Sequence, residues 1–214
     1  MTKRLQMSAF ALVLLLSCPL FASVVTLDMT VNDGNSLVTI DVGETVFVQV
    51  YATVTENSDL GLAGYGVGVL SDGGVLSPVQ SGGQWDALYY VPALVLQTPG
   101  NVTGDDVLGH GAALMSFVSA NTAIAANLKT LLASGYFEGV APGTTNLALG
   151  GENAANVVWY DSANAKYIAV PATSILLTGG AAVMVTPEPA TLVLLAVGLA
   201  AVVKRRRAAR PSRA

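Results

Sequence analysis

Few residues in this chain could do chemistry, and their types exclude more than they suggest. Its 214 residues hold one histidine, His110, and one cysteine, Cys18. His110 sits in Leu108-Gly109-His110-Gly111. A hydrolase triad would need it beside a serine and a carboxylate, yet no Gly-x-Ser-x-Gly elbow occurs, so a turn residue is the plainer expectation. A zinc site built on it would have to be completed mainly by carboxylates, an uncommon ligand set. Asp105-Asp106 is a carboxylate pair, but neighbours on a strand point to opposite faces and need not flank one glycosidic bond. Three oxygen-rich loops, 32–35, 56–59 and 101–106, are of the type that hard cations favour, although none has EF-hand spacing. Calcium is therefore the one cofactor these loops could take. The glycines are scattered and form no phosphate-cradling or dinucleotide loop. No catalytic, cofactor-binding or metal residue is expected.

The aromatic residues offer a different chemistry. Trp85, Tyr89, Tyr90, Trp159, Tyr160 and Tyr167 could stack on sugar rings where exposed. In a small domain such rings mostly fill the core. Exposed, coplanar Trp85 and Tyr89 would mark a glycan-binding face.

The most specific residues are at the C-terminus, where the chain reads as a substrate. Pro187-Glu188-Pro189 is followed by an apolar run at 190–203 and by Lys204-Arg205-Arg206-Arg207. The two prolines fix φ and remove two N–H donors, and each pushes the residue before it to extended geometry. Such a segment fits a processing cleft at little unfolding cost, and it would equally serve as a plain linker. The 14-residue apolar run spans about 21 Å as a helix, short of the ~30 Å hydrocarbon core. It carries no charge and no polar face, and the basic cluster would stay on the cytoplasmic side as a stop. A weak or temporary transmembrane anchor is expected, with the body outside and residues 204–214 inside.

The other end gives the matching signal. Lys3 and Arg4 precede an apolar segment at 9–16 and the small residues Ala22 and Ser23. This is the pattern of a secretory signal peptide over residues 1–23. Cys18 falls inside it, so the mature chain would have no disulfide and no thiol chemistry. An alternative places Cys18 in a lipoprotein-type box, Leu15-Leu16-Ser17-Cys18, with Pro19 directly behind it.

The tail's three parts, in this order and spacing, resemble the PEP-CTERM sorting domain. That resemblance implies a Gram-negative exported protein recognised by an exosortase, an integral-membrane protease or transpeptidase. It also implies an association with biofilm and exopolysaccharide. Carried over, Pro187, Glu188 and Pro189 form the sorting motif, and Lys204, Arg205, Arg206 and Arg207 form the cytoplasmic stop.

Between the two signals lies a body of about 160 residues, 24–185, the size of one domain. Only Lys129 and Lys166 are basic there, against thirteen acidic residues, so the body carries −11 while the whole chain carries −4. An acidic surface repels phosphate backbones, which excludes nucleic acid as an expected partner.

The apolar pattern of the body is mostly strand. Val46, Val48, Val50, Ala52 and Val54 alternate along one face. Strands are expected at 24–31, 37–42, 45–54, 62–70, 87–97, 112–119, 136–140, 145–149, 156–160, 168–177 and 181–185. Asn32-Asp33-Gly34-Asn35 is expected to close a hairpin, and Asp41-Val42-Gly43-Glu44 a second turn. One helix is expected from Asn121 to Gly135, with Ile124, Leu128, Leu131 and Leu132 on one stripe. Regularly spaced strands with Gly-rich turns predict a single β-sandwich. Three segments carry a further resemblance: Asp41-Val42-Gly43-Glu44-Thr45-Val46-Phe47-Val48-Gln49-Val50, then Gly61-Leu62-Ala63-Gly64-Tyr65, then Tyr136-Phe137-Glu138-Gly139-Val140-Ala141-Pro142-Gly143-Thr144-Thr145. Together they resemble a cohesin-like jelly roll.

The expectation is an exported, non-enzymatic envelope or matrix protein of structural or adhesive role. A carbohydrate-binding module is the alternative, and a hydrolase a more distant one.

Overall fold

A computed structural model describes residues 24–55, 60–91, 96–113, 129–150, 156–161 and 166–208. The expected signal peptide at 1–23, the loop 56–59, Pro92 and most of the expected helix lie outside these residues.

The body is a β-sandwich. Its first four strands are β1 (Val24–Val31), β2 (Leu37–Asp41), β3 (Thr45–Thr55) and β4 (Leu60–Ser71). Short strands follow: β5 (Leu76–Pro78), β6 (Gln80–Ser81), β7 (Gln84–Trp85), β8 (Leu96–Thr98) and β9 (Asn101–Thr103). Then come β10 (Asp106–Ala113), β11 (Thr130–Gly139), β12 (Gly143–Leu149), β13 (Asn156–Asp161) and β14 (Lys166–Ala169). The last two are β15 (Ile175–Gly179) and β16 (Ala181–Thr186). One sheet runs β15-β1-β3-β11-β5. The other runs β2-β16-β12-β4-β10-β9-β7-β6, with β13 and β8 also joined to β4 and β10.

The core lies between the sheets because the expected alternation holds. Val25, Leu27, Met29 and Val31 of β1 are buried, as are Val46, Val48, Val50 and Ala52 of β3. From the opposite sheet come Tyr65, Val67 and Val69 of β4, Leu147 of β12, and Val183 and Val185 of β16. Period-two patterning puts each set on one face, and removing it from water drives the closure.

Four expectations need correction. The turn at 32–35 forms, with Asn32, Asp33 and Gly34 at φ 43°, 64° and 101°. It does not close a hairpin: β1 pairs with β3 and β15, while β2 pairs with β16 in the other sheet. Turn chemistry fixes a reversal of direction, whereas strand partnership is set by long-range pairing. Second, residues 130–135 are strand and not helix. Leu132 and Ala133 are buried on β11, which pairs with β3 through a register shift between Leu131 and Ala133. Leu131 and Leu132, the adjacent pair that reads as part of a helical stripe, lie at this bulge. Third, among the described residues the expected strand at 87–97 appears only at its end as β8, with a lone bridge between Tyr89 and Ser134. Fourth, the expected strand at 168–177 is broken by Pro171 and a 3₁₀ turn at Ala172–Ser174. That break lets the chain leave β14 in one sheet and enter β15 in the other.

At the C-terminus the helix α1 spans Pro189–Ala208. No helix of the described residues is long and apolar enough to cross a membrane, so the expected transmembrane span is not met by this helix. The physical reason is its last turn, which is occupied by Lys204, Arg205, Arg206 and Arg207. Only the apolar part before them is available to hydrocarbon.

Candidate functional site

The sorting segment grows directly out of the sandwich. β16 lies between β12, antiparallel, and β2, parallel, and its Val183 and Val185 are buried. Its final residue, Thr186, is held through its carbonyl and its hydroxyl. Its carbonyl accepts from the Val42 amide at 3.0 Å. Its hydroxyl has one proton, which is shared between the Asp41 carboxylate and the Ile40 carbonyl at 3.2 Å. The next residue is Pro187, half-buried, and Glu188 is exposed.

The helix begins at once. Pro189 takes the first helical position, where its missing N–H is no loss. The Thr191 amide donates to the Glu188 carbonyl at 2.9 Å and closes the first turn. Only Pro187 and Glu188 therefore lie outside regular structure between strand and helix. Along α1 the apolar side chains stand in solvent: Leu194 is 72% exposed, and Val193, Leu195, Val197, Leu199, Val202 and Val203 are exposed too. Up to Val203 the helix is apolar with no core to face.

His110, Trp85, Asp105 and Asp106 make structural contacts. His110 is fully buried on β10, and its ring packs against Tyr90 (4.8 Å between centroids), Trp85 (5.3 Å, edge-on) and Tyr65 (6.2 Å). Its Nδ1 meets the Pro99 carbonyl at 3.2 Å, and Nε2 has no partner among the described residues. Burial pulls its pKa down to about 4, against a smaller opposing effect of the Pro99 carbonyl. The ring is thus neutral at pH 7, and its neighbours are aromatic instead of a serine and an acid. Burial likewise pushes the Tyr65 phenol far above its ordinary range, and its hydroxyl donates to the Leu132 carbonyl.

Trp85 is 1% exposed, so it cannot stack on a sugar. Its Nε1 donates to the Tyr136 carbonyl at 3.2 Å, and the ring lies over Gly135, where a Cβ would meet Cζ2 at 2.3 Å. Tyr89 and Tyr90 are half-buried. The side chains of Trp159 and Tyr160 lie outside the described ones.

The oxygen-rich loops at 32–35 and 101–106 are tied down by their own side chains. The Asp105 carboxylate accepts from the Gly74 amide at 2.7 Å, and that of Asp106 from the Ser71 amide at 2.9 Å. The two side chains thus staple the β9–β10 turn to the β4–β5 turn. Asn32 Oδ1 accepts from the Phe47 amide at 2.8 Å. Among the described residues no group of three or more acidic, His or Cys side chains could hold a metal. Sequence reading missed an ion pair: Lys129 meets Asp28 at 2.5 Å and lies 4.4 Å from the Tyr51 ring centroid. It joins residues a hundred positions apart, so no local signal announces it.

Comparison with known proteins separates tail from body. Residues 185–207 match the PEP-CTERM protein-sorting motif. No curated protein matches the chain. Among solved structures, the body is similar to the cohesin of an OlpA cohesin–dockerin complex from Clostridium thermocellum (9% identity, TM-score 0.44), covering 75% of this chain and 99% of that one. It is similar to the seventh ScaB type I cohesin from Pseudobacteroides cellulosolvens (11%, TM-score 0.47; 77% and 93% covered). A non-cellulosomal cohesin from Archaeoglobus fulgidus is a third (14%, TM-score 0.39; 80% and 96% covered). Likeness at this level carries no argument about what the body binds. The chain is a β-sandwich that carries a PEP-CTERM sorting motif at residues 185–207.

Proposed function

We propose that this protein is an exported, non-enzymatic component of the cell envelope or extracellular matrix, with a structural or adhesive role. Residues 1–23 direct export, residues 24–185 are the working domain, and residues 186–214 are a sorting tail read by an exosortase. The observation that carries the reading is the PEP-CTERM match over 185–207, on a segment whose helix is apolar and exposed. Pro187, Glu188 and Pro189 are the residues the enzyme reads. Lys204, Arg205, Arg206 and Arg207 hold the helix end at the cytoplasmic face, where each basic residue adds about 1 kcal/mol of attraction to anionic lipid. The anchor is transient, since the apolar part of α1 is short for a permanent span. Exopolysaccharide is the matrix in which the mature protein would reside.

The test is processing in a native or exosortase-bearing host. The double change Pro187→Ala and Pro189→Ala is expected to leave the full-length protein in the membrane fraction, as read by intact mass. Normal trimming of that variant would falsify the motif assignment.

A further inference from the structure

The sorting motif has no spacer from the folded body. Thr186, the residue before Pro187, is still a paired strand residue, matched to Asp41 in β2. Its carbonyl accepts from Val42 and its hydroxyl proton is shared between Asp41 and Ile40, and Val185 before it is buried against the core. On the other side α1 starts at Pro189. An enzyme that reads an extended peptide contacts several residues on each side of its target. Here the residues on the N-terminal side are inside the sheet. Pro187, itself half-buried, sits at that boundary.

We propose that the end of β16 gates processing: Val185 and Thr186 must leave the sheet before the exosortase can seat Pro187-Glu188-Pro189. This rests on the reading of that tripeptide as the processing motif. Where opening and closing are fast relative to cutting, cleavage follows the population in which the strand end is open. The device ties release from the membrane to the state of the sandwich. The bonds that close the gate come from Ile40, Asp41 and Val42, and these same residues lead the chain from β2 toward β3.

The experiment compares four full-length forms by pulse-chase in cells with an exosortase, following loss of the tail. They are the wild type, a form with six Gly/Ser residues inserted between Thr186 and Pro187, Thr186→Val, and the double proline variant. The insertion leaves strand and motif intact and supplies the missing spacer. It is expected to be processed about tenfold faster, the scale set by the hydrogen bonds it makes unnecessary to break. Thr186→Val removes the hydroxyl bonds but keeps a strand-forming side chain, and an intermediate rate is expected. If insertion and Thr186→Val are both cut at or below the wild-type rate while the proline variant stays uncut, the gate is overturned and the motif stands. If the proline variant is cut normally, the motif reading itself fails. Unchanged thermal melting of the insertion form separates the local effect from global unfolding.

Discussion

At the residue scale the molecule turns its most reactive-looking groups into packing. His110 shows how. With a folded-state pKa near 4 against an ordinary 6.5, the unfolded chain binds more protons than the native one between those values. Stability is therefore constant with respect to this group above about pH 6.5 and falls as pH drops toward 4. The shift corresponds to roughly 3 kcal/mol. Urea denaturation at pH 7.5 and pH 4.5 should show that loss, and His110→Leu should flatten it, since Leu has no proton to gain. Trp85 and Gly135 form the second case. A Cβ at position 135 would collide with the indole, so Gly135→Ala should destabilise by about 1–3 kcal/mol, read as a lower melting temperature. Trp85→Ala should cost about 3–5 kcal/mol through the cavity it leaves. The purified body should meanwhile give no glycan-array hit that depends on Trp85, since that ring is enclosed.

At the element scale the strands read well from sequence and their connections did not. β1, β3, β12 and β16 lie within a residue or two of expectation because each alternates cleanly between core and solvent. Residues 130–135 depart from expectation for a definable reason: Leu131 and Leu132, adjacent apolar residues that fit a helical stripe, lie at the β11 bulge, where strict alternation is broken. The strands β5, β6, β7 and β9 are two or three residues long, too short for any period to show. The tail behaves as an element of its own. Replacing Lys204, Arg205, Arg206 and Arg207 by glutamine should weaken its hold on anionic vesicles severalfold, and added salt should weaken the wild-type helix in the same direction.

At the scale of the whole molecule, charge and connectivity matter most. Eight of the ten basic residues sit at the two ends, and the body between them carries −11. Trimming should thus release an acidic, soluble domain. The trimmed protein should focus at lower pH than its precursor on an isoelectric gel, with little retention on DNA at low salt. The sequence alone determined the sandwich class, through period-two burial, and the sorting motif, because that motif is a contiguous string of side chains and backbone restraints that an enzyme reads locally. Only the tertiary structure decided that β1 and β2 part into different sheets, that His110 and Trp85 are enclosed, and that Asp105 and Asp106 serve as staples. It alone placed Thr186 inside a strand one bond from Pro187. Each of these depends on which distant segments meet, and a local pattern states what a strand can bury without naming the partner that buries it.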